Sequence, residues 1–373
     1  MAGRSLTVLQ MLPALESGGV ERGTLEVAAE LVRCGHRSLV MSAGGQLLAR
    51  LRAHGTEHFD WPVDRKSLLS LRLVRPLRRF FREQHVDIVH ARSRMPAWLA
   101  YLAWRGMKPG QRPRFVTTVH GLYSVNRYSA VMTRGERVIA VSESARHYLE
   151  TNYPKLDSSR VVTIYRGIDP SVFPYGYRPP GSWLERWFGE HPYLLDRYVL
   201  TLPGRLSPLK GHGAFVALIA ALVERGLPVH GLIVGAEDAR HRAYADRLYK
   251  AVERHGVQEH ITLTGYRMDV RNIYAASNLV LSLSQKPESF GRTVLEALSL
   301  GVQVVGYDHG GVGELLALLF PEGRVKPGDR QALIDCCETL LKRPQPVSDE
   351  QPFVLQRTLD ETLALYGEIG SQN

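Results

Sequence analysis

One rhythm constrains this chain more than any other feature: short apolar runs alternate with amphipathic stretches of helical period along nearly its whole length. A strand buried on both faces reads as a continuous apolar run, and a parallel neighbour needs a helical crossover, so the rhythm specifies parallel sheets covered by helices. In the first half, strands are expected at Leu6–Met11, Ser38–Met41, Ile88–His90, Phe115–Val119, Val138–Val141 and Val161–Tyr165. The Gly/Pro-rich, aromatic stretch from Arg166 to His191 interrupts the alternation. It resumes with Val199–Leu202, Gly231–Val234, Ile261–Thr264, Leu279–Leu283 and Val302–Tyr307. The expectation is an α/β chain of two Rossmann-like domains, 1–178 and 192–350, with a terminal helix in 351–373, read from Gln351 to Gly367, that joins the first. Ligand groups should then follow strand C-termini, because open α/β sheets bind ligands outside those ends.

Length and composition fit that reading. At 373 residues and 44% apolar, the chain can bury two sizeable cores. Its three cysteines are odd in number, and neighbouring Cys336 and Cys337 lack ligand spacing, so neither a disulfide framework nor a zinc site is supported. A reducing cytoplasm fits best. Arg4 and the apolar run Leu6–Leu12 resemble a short signal peptide but lead into Gly18, Gly19 and a helix, without a small-residue cleavage site. The longest uncharged apolar stretch, Ala214–Val223, is far shorter than the roughly 20 residues that cross a bilayer. A formal charge of +10 predicts an anionic partner: nucleotide phosphates, nucleic acid, an anionic saccharide or a membrane surface.

Two loops carry the chemistry. The first, Pro203-Gly204-Arg205-Leu206-Ser207-Pro208-Leu209-Lys210-Gly211, follows the first strand of the second half. It sets two cations five residues apart on a Gly/Pro-shaped loop that opens onto a helix, where both can reach one diphosphate. In the second loop, Pro287-Glu288-Ser289-Phe290-Gly291-Arg292-Thr293-Val294-Leu295-Glu296, one carboxylate lies on the loop and the other on the following helix. Loop and helix hold these acids apart, which suits two different hydroxyl sets on an extended ligand, with the amides of Phe290, Gly291, Arg292 and Thr293 facing a phosphate between them. Gly18-Gly19 comes without a full GxGxxG, so a nicotinamide site is not supported. Asp87 and Asp169 read as caps.

These motifs, with Gly310-Gly311-Val312-Gly313-Glu314 and the two-half architecture, resemble the family 4 retaining glycosyltransferases of the GT-B fold, in which two Rossmann-like domains face each other across a cleft. Val89-His90-Ala91-Arg92-Ser93-Arg94-Met95-Pro96-Ala97-Trp98, Thr118-Val119-His120-Gly121 and Val138-Ile139-Ala140-Val141-Ser142-Glu143-Ser144 are similar to bacterial members that build lipopolysaccharide core or related surface glycans. The resemblance implies that Arg205 and Lys210 bind the donor diphosphate, Glu296 the ribose hydroxyls and Glu288 the hydroxyls of the transferred sugar. It places Gly18 and Gly19 near the donor phosphates and the acceptor, the Gly265-Tyr266-Arg267 loop beside the base, and His120 near the reacting centre as a positioning group. Two departures stand out: Arg166-Gly167-Ile168-Asp169 where many relatives have Asn-Gly-Ile-Asp, and Gly313 where many have proline before the glutamate.

The implied reaction moves a hexose from a UDP- or GDP-linked donor to an acceptor with retention, and nucleotide sugar is a substrate rather than a cofactor. Breaking the anomeric bond puts negative charge on the departing diphosphate, which Arg205, Lys210 and the helix near Gly291 are placed to stabilise. No Asp-x-Asp motif and no His/Cys/carboxylate cluster with ligand spacing occurs, so no metal is expected. An epimerase, a glycoside phosphorylase or a cytosolic storage-sugar synthase would share this architecture. A nucleic-acid-binding protein would not, since no recognition motif is present. In Ser67–Arg82, Leu69, Leu73, Leu77 and Phe80 share one helical face and are expected to pack on the sheet, while Arg72, Arg75, Arg79 and Arg82 share another that suits anionic lipid head groups at the inner membrane. Arg92, Arg94 and Arg127 are the cations expected to recruit an anionic, lipid-linked saccharide acceptor.

Overall fold

The computed structural model describes residues 4–16, 18–237 and 242–371, so the expected domain ends at 1–3 and 372–373 lie outside the described residues. The chain divides into two compact units, one running to Gly167 and resuming at Leu355, the other spanning Ile168–Val354. The first break falls inside the interrupted stretch Arg166–His191, close to its start.

The first unit is built on a parallel sheet of seven strands. In chain order these are β1 (Thr7–Met11), β2 (Arg37–Ser42), β3 (Glu57–Asp60), β4 (Ile88–Ala91), β5 (Arg114–Val119), β6 (Arg137–Ala140) and β7 (Val161–Thr163). Their spatial order is β3-β2-β1-β4-β5-β6-β7, so the direction of winding reverses between β1 and β4. Loops leaving those two strands diverge, and the gap between them is where a doubly wound sheet takes ligand. The helix Leu355–Gly370 completes this core: Leu359, Leu365, Tyr366 and Ile369 bury against Leu6, Val27, Ile88 and Ile164. Its Tyr366 hydroxyl meets Nδ1 of buried His90 at 2.6 Å, and Nε2 of the same ring meets Thr118 Oγ1 at 2.6 Å.

The second unit carries β8 (Tyr198–Pro203), β9 (Val229–Val234), β10 (Ile261–Gly265), β11 (Leu279–Ser282), β12 (Val304–Tyr307) and β13 (Arg324–Val325). These six parallel strands lie in the order β10-β9-β8-β11-β12-β13, with the reversal between β8 and β11. Within the stretch that interrupts the alternation, Gly181–Glu190 forms a helix. Trp183 and Trp187 stack at 5.1 Å and bury against Val199, Leu232 and Ile273, while Trp183 Nε1 donates to Asp269 Oδ2 at 2.7 Å. Truncating a ring in such a position costs about 3–5 kcal/mol, so this helix belongs to the unit's core.

The segment 67–83, with Pro76 as its expected point of division, is divided two residues earlier, at Val74. Leu68–Leu73 is a 3₁₀ helix and Val74–Glu83 an α-helix, with Pro76 in the first α-helical turn, where its missing N–H costs nothing. Leu77, Phe80 and Phe81 are buried, but Leu69 is 71% exposed, against the expectation that it packs on the sheet. A change from about 3.0 to about 3.6 residues per turn takes Leu69 off the face shared by Leu77 and Phe80. Among the described residues, no helix is long and apolar enough to cross a membrane.

Candidate functional site

In the second unit the switch point selects the loops after β8 and β11, the two that carry the sequence motifs. The loop after β8 is pinned by backbone bonds from Gly204 N to Val234 O (2.9 Å), Leu206 N to Ala236 O (3.0 Å) and Gln285 N to Leu209 O (2.8 Å). Gly211 caps the helix His212–Glu224 in a left-handed conformation (φ 79°), and a Cβ there would collide with the carbonyl of Leu283, so only glycine lets the two loops lie together. Buried His212 packs under the loop with Nδ1 3.2 Å from Tyr244 Oη, and burial lowers its pKa to about 4, so it is a neutral support.

Where the loops meet, Lys210 Nζ donates to Glu288 Oε1 at 2.7 Å, and Ser284 Oγ donates to the same oxygen. Burial raises the Glu288 pKa, but the adjacent Lys210 charge and the hydrogen bonds from Lys210 and Ser284 outweigh it and hold the carboxyl below the usual range. His309 Nε2 lies 3.0 Å from the carbonyl of Ser284, and Gly311 N donates to the carbonyl of Glu288 at 2.8 Å, so the turn at 309–311 braces the acid from behind. Arg205 is exposed and makes no hydrogen bond or ion pair among the described residues.

Gly291, at φ 95°, caps the helix Arg292–Ser299, whose first-turn amides at Arg292 and Thr293 have no partner within the helix. Phe290 is buried, so it offers a ligand its backbone and not its ring. Glu296 is also buried, and its Oε1 accepts from Arg292 Nε at 3.1 Å. The two acids thus stand on separate elements, each against a cation. On the loop after β10, Tyr266 is 60% exposed, whereas Arg267 donates to both oxygens of Asp269 (2.8 and 2.7 Å) and lies 5.3 Å over Trp187. Arg267 is held away from service as a mobile cation by that fork.

The first unit holds the remaining candidates. Gly18 and Gly19 open the helix Gly19–Arg33, with Glu21 folded back so that its carboxylate lies against Gly18. His120, just after β5, accepts at Nδ1 from Arg166 Nη2. Burial, then the charges of Arg166 and Arg92, push the His120 pKa far down, so the ring is neutral and carries its proton on Nε2. Arg92 and Arg94 are not the open cations expected. Arg92 is 6% exposed with Nη1 bonded to Gln10 Oε1 at 2.7 Å, and Arg94 lies over Tyr123 (4.5 Å) and Tyr128 (5.3 Å). Their short loop and helix start turn both side chains inward, which spacing alone does not reveal.

Ser284, His309, His212 and Arg166 take part in these arrangements without having been singled out as binding residues; only Arg166 carried a signal, as a departure from its motif. Chemically, the second unit offers cations and amide dipoles for a polyanion, beside carboxylates that accept from hydroxyls. Among the described residues no three His, Cys, Asp or Glu side chains come together as a metal-ligand group.

Comparison with known proteins matches residues 17–172 to the sequence model of Glycosyltransferase Family 4, and residues 185–351 to that of Glycosyl transferases group 1. The chain is similar to the D-inositol 3-phosphate glycosyltransferase of Rhodococcus erythropolis, 26% identical over 340 residues, covering 83% of this chain and 72% of that protein. It is also similar to the lipopolysaccharide core biosynthesis mannosyltransferase LpcC of Rhizobium leguminosarum, 27% identical over 203 residues, which span 54% of this chain and 53% of LpcC. Among solved structures, a glycosyltransferase from Rickettsia africae superposes with a TM-score of 0.84 at 28% identity, covering 99% of this chain and 100% of that one.

Proposed function

From a chain that belongs to the family 4 glycosyltransferases of the GT-B fold, we propose an enzyme that moves a hexose from a UDP- or GDP-linked donor to an anionic, lipid-linked saccharide in the building of lipopolysaccharide core or a related surface glycan. The observation that carries this reading is the meeting of Lys210 and Glu288 at the β8/β11 switch point, on the loop that runs into the helix N-terminus at Gly291. Lys210, Arg205 and the amides of Phe290–Thr293 take the diphosphate, Glu296 the ribose and Glu288 the hydroxyls of the sugar. Tyr266 borders the base. Gly18, Gly19 and His120 serve the acceptor side and position the reacting groups.

As the anomeric bond breaks, charge grows on the leaving diphosphate, and fixed cations and dipoles lower that barrier because they need not reorganise. They do the work that a metal does in other transferases, so the reaction proceeds without one, and attack on the same face of the sugar retains its configuration. An anionic acceptor fits the chain's charge and the names of its relatives, one a transferase for D-inositol 3-phosphate and one for lipopolysaccharide core. A lipid surface fits Leu68 and Leu69, 86% and 71% exposed, beside the basic face of the helix Val74–Glu83. The test is a donor screen: purified protein with labelled UDP- and GDP-hexoses and deacylated core saccharides. Transfer from one donor to the core acceptor is expected; label appearing only on neutral soluble sugars would overturn the reading in favour of a storage-sugar synthase.

A further inference from the structure

Two motifs of the first unit, Val89-His90-Ala91 and Thr118-Val119-His120, meet inside the sheet through side chains that the proposed reaction does not use. His90 on β4 and Thr118 on β5 stand on neighbouring strands, and the helix Leu355–Gly370 brings Tyr366 to them from 276 residues away. Both contacts of the His90 ring, Nδ1 with Tyr366 Oη and Nε2 with Thr118 Oγ1, are 2.6 Å long. Tyr366, His90 and Thr118 are 1%, 1% and 3% exposed, so water does not compete for them. Burial, then the charge of Arg92, hold the His90 pKa well below its ordinary range, so the ring is neutral.

A neutral ring and two hydroxyls bring three protons to two contacts, and neither hydroxyl has another hydrogen-bond partner among the described residues. With the ring proton on Nδ1, the spare proton would be the phenol's, stranded beside Leu6, Ile88, Ile164 and Leu359 in the apolar core. With it on Nε2, Tyr366 donates to Nδ1, Nε2 donates to Thr118, and the spare proton lies on Thr118. The second arrangement strands no donor in that cluster, so the phenol selects it. Thr118 stands two residues before His120, on the strand that ends at Val119. The His120 ring is held neutral by burial first, then by Arg166, Arg92 and His90, so His90 is close enough to act on it directly.

We propose that Tyr366 is a positioning residue for His120 and acts through His90 and Thr118: the phenol fixes the His90 tautomer, and the ring, held at both nitrogens, fixes the end of β5 that carries His120. Its bearing on transfer rests on the reading of His120 as a positioning group of that reaction; the coupling of Tyr366 to His120 does not. A buried chain of hydrogen bonds suits the task because each bond prescribes a distance and a direction, which apolar packing around β5 does not. The helix that completes the first unit's core thereby also sets the place of a residue at the strand ends.

The test uses the full chain with nitrogen-15 in its histidine rings, followed by NMR without donor or acceptor, as the native protein, Tyr366→Phe, Thr118→Val and Thr118→Ser. His90→Gln and His120→Gln assign the signals. Native His90 should carry its proton on Nε2. Tyr366→Phe keeps the ring and its packing, yet should move the signals of both His90 and His120, as should Thr118→Val. Thr118→Ser keeps the hydroxyl and should leave the His120 signals in place. In turnover, Tyr366→Phe and Thr118→Val should lower kcat on the order of tenfold or more at unchanged donor KM, because a small misplacement of a positioning group is felt in the rate. Thr118→Ser should keep most of that turnover. Unmoved His120 signals in folded Tyr366→Phe and Thr118→Val would overturn the coupling. Equal losses in Thr118→Ser and Thr118→Val would also overturn it, by assigning the effect to side-chain volume. Moved His120 signals with native turnover in both would instead strike the reading of His120 as a group that positions the reaction.

Discussion

Lys210 is held against Glu288 before any donor arrives, so a diphosphate that engages the ammonium must share it with, or take it from, the carboxylate. Arg205, exposed and unpaired among the described residues, meets no such competition. Lys210→Ala and Arg205→Ala should each lower kcat on the order of 100-fold with the fold intact, the loss seen when one preorganised electrostatic group is removed. Steady-state kinetics on the soluble mutants check this, and near-normal turnover in both would remove the diphosphate assignment. Glu288→Gln should damage use of the intact donor while leaving nucleoside diphosphate binding in place, whereas Glu296→Gln should weaken the nucleotide itself; calorimetry with each ligand separates them. At this scale the sequence revealed residue types at loop positions and not their partners. It could not show that Gln10 draws Arg92 inward or that His309 braces the Glu288 loop, because those contacts join positions remote in the chain; Arg267–Asp269 and Ser284–Glu288 are near in sequence, but their pairing depends on how each loop turns.

Elements were legible where both faces of a strand are buried. β1, β4, β5, β8, β9 and β11 are rich in apolar residues, and the expected strands lie within a residue or two of their observed ends. β3 was not, because Glu57-His58-Phe59-Asp60 lies at a sheet edge with charged ends and no apolar run, and β13 is only a residue pair at the opposite kind of edge. The 3₁₀ turn at Leu68–Leu73 was hidden for a different reason: leucines spaced for one helical period satisfy the pattern whether or not the backbone keeps that period. Exposed Leu68 and Leu69 open a segment that also carries exposed Arg72, Arg75 and Arg79, the last paired with Glu83. Replacing both leucines with aspartate should lower binding to vesicles containing anionic lipid on the order of tenfold or more, since inserted methylenes and nearby charge both contribute. Sedimentation with the vesicles checks it, and the exposed positions leave the fold unaffected. Unaltered binding would remove the lipid contact.

On the scale of the whole molecule, two doubly wound units follow from one alternation repeated, and the reversals of strand order carry Gly18 and Gly19 after β1, Arg205 and Lys210 after β8 and Glu288 after β11, while His120 follows β5 and Tyr266 follows β10. The break between them reads as an interruption of the alternation because its glycines and prolines outweigh local pattern, yet Trp183 and Trp187 on the helix Gly181–Glu190 bury into the core of the second unit. We propose that the chain's own cations and helix dipole stabilise the departing diphosphate, so that hexose transfer needs no metal, and that attack from the leaving-group face keeps the sugar's configuration. The most direct measurement follows, by NMR of the product, the transfer of a hexose from its nucleotide donor in excess chelator. An undiminished rate and a product with the donor's anomeric configuration are expected; transfer abolished by the chelator and restored by magnesium or manganese would overturn the metal-free mechanism, and a product of inverted configuration would overturn retention.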